Sequence, residues 1–69
     1  MNNMTEYAEN DQHDFEKVYF YKDDCLVAEL NMNSDVFTSH IEMTEDEADR
    51  VYKAMVLEHE SYVNEFELS

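Results

Sequence analysis

Glycine, proline and tryptophan are absent from this 69-residue chain, and cysteine occurs only once. Without glycine, the chain has no glycine-rich loop of the kind that cradles phosphates. The single Cys25 has no partner for an internal disulfide, and we expect it to be a buried or half-buried structural thiol. A chain of this length forms at most one small domain, without room for a deep catalytic cleft. These absences argue against an enzyme.

Basic residues are also scarce. The chain contains four Lys and Arg residues and 18 Asp and Glu residues, which gives a formal net charge of -14 at pH 7. We therefore expect no direct binding to nucleic acid, because that affinity depends on Lys and Arg that neutralise phosphates. We also expect no membrane binding, since an anionic membrane surface repels such a chain. No apolar run reaches the roughly 18 residues of a membrane span, and the first ten residues lack the parts of a signal peptide. We therefore expect a cytoplasmic protein.

The apolar content nevertheless indicates a folded domain, because 43% of the residues are hydrophobic and 13% are aromatic. Residues 1–14 are polar and acidic, and we interpret them as a flexible acidic arm. Residues 15–69 are expected to form one domain. Within it, alternating and β-branched patterns predict strands at residues 15–22, 25–31 and 36–43, with turns between them. Three consecutive antiparallel strands make a meander.

A helix is predicted to start at Thr44, because Thr44 and Glu47 form a capping box and acidic residues occupy the first turn. One apolar stripe follows at helical spacing. It must be buried against one face of the meander, which predicts a two-layer α+β domain of order βββα. The stripe contains Ala48, Val51, Tyr52, Met55, Val56, His59, Tyr62, Val63 and Phe66, and the predicted sheet side of the core contains Val18, Phe20, Leu26, Ala28, Leu30, Phe37 and Ile41.

Metal binding has little support in the sequence. The ligand positions of a calcium loop would be occupied in residues 31–42 by Asn31, Asn33, Asp35, the backbone of Phe37, Ser39 and Glu42. However, position 1 is Asn instead of Asp, Val36 stands where that loop requires glycine, and the flanks resemble strands. The three histidines lack zinc-site spacing. Asp11, His13 and Asp14 could loosely hold a cation, but they are explained equally well as solvated polar residues. We expect no metal and no cofactor.

The carboxylates of the predicted helix form two rows along the flanks of the apolar stripe, at spacings of 11 and 7 residues. Acids near the helix start can pair with cations four residues on, as Asp46 with Arg50 and Asp49 with Lys53. The later acids have no Lys or Arg within four residues, and those near the end oppose the helix dipole. The rows contain Glu47, Glu58 and Glu65 on one flank and Asp49, Glu60 and Glu67 on the other.

This amount of charge approaches that of nucleic acid. Duplex DNA carries one negative charge per about 1.7 Å, so 14 net charges match roughly 24 Å of duplex. In size, acidity and carboxylate rows the chain resembles the small phage-encoded DNA-mimic inhibitors, which include acidic anti-CRISPR proteins. The resemblance is one of composition, without a shared motif. It implies a non-catalytic blocker of a basic nucleic-acid channel, as in a CRISPR effector complex, an HU-like protein, a restriction or repair enzyme, or RNA polymerase.

The six acids of the rows are the candidate contacts, and Asp23, Asp24, Glu29 and Asp35 are expected to contribute from the sheet and turns. Two alternatives remain open. One is an acidic antitoxin or adaptor that masks a basic partner protein, using apolar candidates on the exposed sheet face. The other is a homodimer that buries this same face, with the acidity serving solubility. The exposed-face candidates are Tyr19, Tyr21 and Val27.

Overall fold

A computed structural model describes residues 5–68 of the protein, with side chains described for residues 5–66. The elements in chain order are β1 (Glu6–Asn10), β2 (Lys17–Lys22), β3 (Cys25–Asn31), β4 (Val36–Ser39) and α1 (Glu45–Leu68). The strands form one antiparallel sheet in the order β1-β2-β3-β4. The predicted α+β class is confirmed, but the described sheet has four strands instead of three.

The additional strand, β1, lies inside the stretch that we interpreted as an arm, so that interpretation is wrong for residues 6–10. Two of its inward positions are polar, Glu6 and Asn10. They find partners on α1, where Arg50 binds Glu6 and His59 binds Asn10. Because these contacts replace apolar burial, the strand lacks the hydrophobic alternation by which strands are recognised in a sequence.

The β2–β3 connection is a two-residue turn at Asp23 and Asp24, flanked by the pair Lys22 and Cys25. Both turn residues have positive φ, 51° and 67°, as a type I′ turn requires. Aspartate tolerates this region better than most residues, so the chain makes a tight hairpin without glycine. The β3–β4 turn also contains a positive φ, 56° at Asp35.

A β-bulge in β3 changes which of its side chains face the helix. The register shifts between Phe20 and Tyr21, which pair with Ala28 and Leu26, so Val27 has no direct partner. This extra residue reverses the alternation along β3. Val27 is consequently buried and Leu26 is 39% exposed, the opposite of our predictions for both residues.

The core lies between α1 and the inner face of the sheet. Of its predicted members, Ile41 lies beyond the end of β4 and is 42% exposed, because the strand ends at Ser39 instead of residue 43. Cys25 is exposed beside the turn, so the prediction of a buried or half-buried thiol is wrong. Among the described residues, the buried hydrophobic side chains are Val18, Phe20, Val27, Ala28, Leu30, Val51 and Met55.

The helix begins where the sequence predicted. Thr44 caps it, since its Oγ1 accepts a hydrogen bond of 3.1 Å from the backbone N–H of Glu47. The 24 residues of α1 give it a length of about 36 Å. It lies mainly across β1 and β2, and Tyr52 reaches Phe37 of β4, with ring centroids 6.2 Å apart. One face of the sheet thus remains uncovered by the helix.

Candidate interaction surface

Ion pairs concentrate in the first half of α1, a region that we call the paired end. Arg50 binds the carboxylate of Glu6 with both terminal nitrogens, at 3.4 and 3.2 Å. The carboxylate of Glu47 lies 3.8 Å from Arg50 and 3.9 Å from Lys22. Arg50 is therefore engaged by Glu6 and Glu47, where the sequence suggested Asp46. Glu47, a predicted contact residue, is half-buried here and has two cationic neighbours.

The predicted pair of Asp49 and Lys53 is confirmed, with Lys53 Nζ 2.9 Å from Asp49 Oδ2. The hydrogen bond that Lys53 donates to the Asp49 carboxylate raises the pKa of Lys53. Lys53 is also the last Lys or Arg of the sequence. Beyond it, α1 carries Glu58, which is half-buried, and Glu60 and Glu65, which are exposed. We call these three residues the acidic end. Positive and negative charges are therefore unevenly distributed along the helix.

The remaining predicted contacts are dispersed. Asp23 and Asp24 occupy the β2–β3 turn, and Asp23 Oδ1 accepts a hydrogen bond of 3.1 Å from the backbone of Thr5. Asp35 lies in the next turn and accepts one of 3.0 Å from the Tyr52 hydroxyl, which raises the pKa of Tyr52. These residues lie in turns between strands, whereas the acidic end lies on α1. Glu67 lies outside the residues whose side chains are described.

Glu29 lies on the uncovered face of the sheet, which we call the outer face. It pairs with His40, whose Nε2 is 2.6 Å from Glu29 Oε2. Tyrosines dominate this face: the rings of Tyr7 and Tyr21 stack at 5.1 Å, and Tyr19 meets Tyr21 edge-on at 6.5 Å. The outer face is therefore more aromatic than the sequence suggested.

The β1–β2 loop is held by carboxylates that the sequence did not single out as structural. Oδ1 of Asp11 accepts hydrogen bonds from the backbone N–H groups of His13 and Asp14, at 2.7 and 2.8 Å. Its Oδ2 accepts one of 2.5 Å from the Tyr19 hydroxyl. These bonds, that from Tyr19 first, lower the pKa of Asp11 to about 2, and the same bond raises the pKa of Tyr19 to about 12.

Asn10 connects this loop to the middle of α1 and is the buried polar residue of the described core. Its Nδ2 donates to the backbone carbonyls of Asp11 and Phe15, at 3.0 and 3.1 Å. Its Oδ1 must then accept from His59 Nδ1, at 2.9 Å, which places the proton of that ring on Nδ1. Three parts of the chain thus meet at one side chain, which sequence spacing could not have revealed.

Phe15, whose backbone carbonyl accepts a hydrogen bond from Asn10, belongs to a group of rings beside the acidic end. Its centroid lies 5.5 Å from that of His59, 5.7 Å from Tyr62 and 5.8 Å from Phe66. Tyr62 and Phe66 are 6.2 Å apart. We call these four residues the aromatic cluster. Phe15 and Phe66 remain 42% and 64% exposed, so the cluster is an apolar surface as well as a packing contact.

Residues 31–42, whose spacing resembles a calcium loop, comprise the last residue of β3, the β3–β4 turn, β4 and the chain after it. Asn31 Oδ1 is occupied by the backbone N–H groups of Asn33 and Ser34, at 2.9 and 3.0 Å. In the part of the chain that the structure describes, no group of three or more His, Cys, Asp or Glu is arranged to hold a metal ion.

Comparison with known protein families, with curated proteins and with solved structures found no match to this chain. Within residues 5–68, no helix has the length and apolar character needed to cross a membrane.

Proposed function

We propose that this protein is a cytoplasmic, non-catalytic DNA-mimic inhibitor, which occupies the basic nucleic-acid-binding groove of a host protein or CRISPR effector complex. One observation carries the proposal, the uneven charge of α1. The helix presents Glu58, Glu60 and Glu65 after its last cation, whereas Arg50 and Lys53 are engaged by acids at the paired end. Glu65 is close to the C-terminal end of the helix, where a negative charge opposes the helix dipole, so it is a cost to folding that a binding role would account for.

The charge density supports this proposal. The long axis of the protein is 38 Å, and 38 Å divided by 14 net charges is one charge per about 2.7 Å. Residues 1–4 and 69 carry no charged side chain, so charge and length refer to the same part of the chain. Nucleic acid carries one charge per about 1.7 Å as a duplex and per about 3.4 Å as one strand. The protein falls between these two values.

The helical spacing indicates how a basic groove meets these acids. Seven residues of helix rise about 10.5 Å, which corresponds to about three phosphate steps of 3.4 Å along one strand. Glu58 and Glu65 are separated by this distance along the axis of α1. They therefore match two cations of a groove that bind phosphates three steps apart. The protein does not need one carboxylate for every phosphate. Association driven in this way releases counterions and weakens steeply as salt rises.

The test begins with capture of partners from a bacterial lysate on immobilised protein at low salt. We expect duplex DNA to elute the bound protein at an ionic strength where salt alone does not. A triple variant, Glu58→Gln with Glu60→Gln and Glu65→Gln, should capture much less of that protein. Its thermal stability should not fall, because uncompensated negative charge is removed.

The matched control is a second triple variant, Glu9→Gln with Glu42→Gln and Glu45→Gln, which changes the net charge equally but at positions away from the acidic end. It should retain most of the binding. Equal losses in the two triple variants would show that only net charge matters. A partner that duplex DNA fails to displace would contradict mimicry.

The outer face favours a second function, that of an acidic antitoxin or adaptor that masks a basic protein. Tyr7, Tyr19 and Tyr21 form a ring ladder there, next to the exposed Leu26. Tyrosines of this kind are enriched at binding hot spots. A Tyr21→Ser variant that loses partner binding while the acidic-end variant keeps it would support this second function. A homodimer through the same face would appear as a concentration-dependent mass in light scattering.

A further inference from the structure

Two rings of the aromatic cluster are exposed to solvent instead of being buried in the core. Phe15 and Phe66 leave 42% and 64% of their surface in water, although the chain contains only four phenylalanines. Their mutual packing is edge-on, with ring planes 78° apart. Contiguous exposed apolar surface of this kind commonly marks an interaction site.

Carboxylates of the acidic end border these rings. Glu58 precedes Tyr62 by four residues and Glu65 follows it by three, so both are its neighbours on the helix surface, with Cβ atoms about 5–6 Å apart. No Lys or Arg follows Lys53 in the sequence to neutralise them. The surface therefore combines exposed aromatic rings with neighbouring negative charges.

This combination fits one side chain better than the others. Arginine has a planar guanidinium that stacks on aromatic rings and binds carboxylates with two parallel hydrogen bonds, whereas lysine is a compact and strongly hydrated point charge. We infer that the aromatic cluster together with Glu58 and Glu65 is a docking site for arginine side chains of a basic partner protein. The inference rests on the proposed function, because it specifies which cations of the partner groove the protein recognises.

The two parts of this surface have different physical roles. The carboxylates attract any cation over long range, with a strength that depends on salt. The rings discriminate between cations at short range, because cation–π stacking is stronger for a weakly hydrated guanidinium. Removal of a ring should therefore change the preference for arginine over lysine, while the general attraction to cations persists.

The test uses fluorescently labelled octa-arginine and octa-lysine peptides, whose affinities are measured by anisotropy at low salt. The wild-type protein should bind octa-arginine roughly two- to five-fold more tightly, the factor expected of one exposed cation–π contact. Phe66→Leu should lower this ratio towards one while leaving the affinity for octa-lysine nearly unchanged. Phe66→Trp, which keeps a ring, should retain or raise the ratio.

Leu57→Ala on α1 is the matched control, because it removes an apolar side chain that is 65% exposed but lies outside the aromatic cluster, and it should leave the ratio unchanged. Circular dichroism of each variant checks that it is folded. Equal wild-type affinities for the two peptides, or an unchanged ratio in Phe66→Leu, overturn the arginine site and leave the charge-based proposal standing. Failure to bind either peptide overturns both. A preference for arginine in a protein whose partners duplex DNA does not displace supports the site and contradicts mimicry.

Discussion

Replacement of Asn10 by alanine should be among the most damaging single substitutions in this protein. The change removes three hydrogen bonds of 2.9–3.1 Å at a side chain that is only 2% exposed. It leaves His59 Nδ1–H and two backbone carbonyls without their partner. An unsatisfied buried group costs about 1–3 kcal/mol. The carbonyls of Asp11 and Phe15 lie near the surface and can recover water, so we expect a total loss of about 2–3 kcal/mol.

The assay is urea denaturation followed by circular dichroism. A domain of this size has an m-value of about 1 kcal/mol/M, so the midpoint for Asn10→Ala should fall by about 2–3 M. The melting temperature should fall by roughly 10–20 °C. Asn64→Ala, at an exposed position of α1, is the control and should change the midpoint little. A shift below about 0.5 M for Asn10→Ala would refute the reasoning, since it would mean that water replaces all three bonds.

Three further predictions test the folding signals and the charge of the helix. Thr44→Ala removes the cap on Glu47 and should cost about 1 kcal/mol in urea denaturation, whereas Thr44→Ser should cost much less. Glu65→Lys should raise stability by about 0.3–1 kcal/mol, since it places a cation near the helix C-terminus. The same substitution should weaken capture of the partner. A stabilised variant with full binding would contradict the role of Glu65. The bond from Tyr19 to Asp11 should make stability depend on pH at both extremes. The lowered pKa of Asp11 stabilises the fold above about pH 4, and this contribution is lost as the pH falls towards 2; the raised pKa of Tyr19 stabilises it below about pH 10, and this contribution is lost as the pH rises towards 12. Melting curves of Tyr19→Phe should therefore differ from wild type most between pH 4 and 10, and a constant difference down to pH 2 would contradict the assignment.

The elements that the sequence predicted correctly are those whose signals are local. Thr44 and Glu47 stand three residues apart and form the cap, and the Asp23–Asp24 turn joins two strands rich in β-branched and aromatic residues. The pair of Asp49 and Lys53 also depends only on helical spacing. In each case the interacting groups are close in sequence, so their contact follows once the local conformation forms.

The errors arose where distant parts of the chain decide the outcome. Strand β1 has polar residues on its inner face, and it packs on the helix because Arg50 binds Glu6 and His59 binds Asn10. These partners are 44 and 49 residues away in the sequence. The bulge in β3 reversed the expected orientations of Leu26 and Val27, since one extra residue moves a side chain to the opposite face of a sheet. Neither feature has a signal in local hydrophobic periodicity.

The candidate surface divides in the same way. The sequence by itself determined the excess of negative charge and the positions of the unpaired acids along α1, because both follow from composition and from the helical repeat. Only the tertiary structure decided that Glu6 and Glu47 share the cation Arg50, and that Phe15 joins Tyr62 and Phe66 beside the acidic end. The physical reason is that charge and helical spacing are properties of the chain, whereas the neighbours of a side chain are set by the packing of the sheet against the helix.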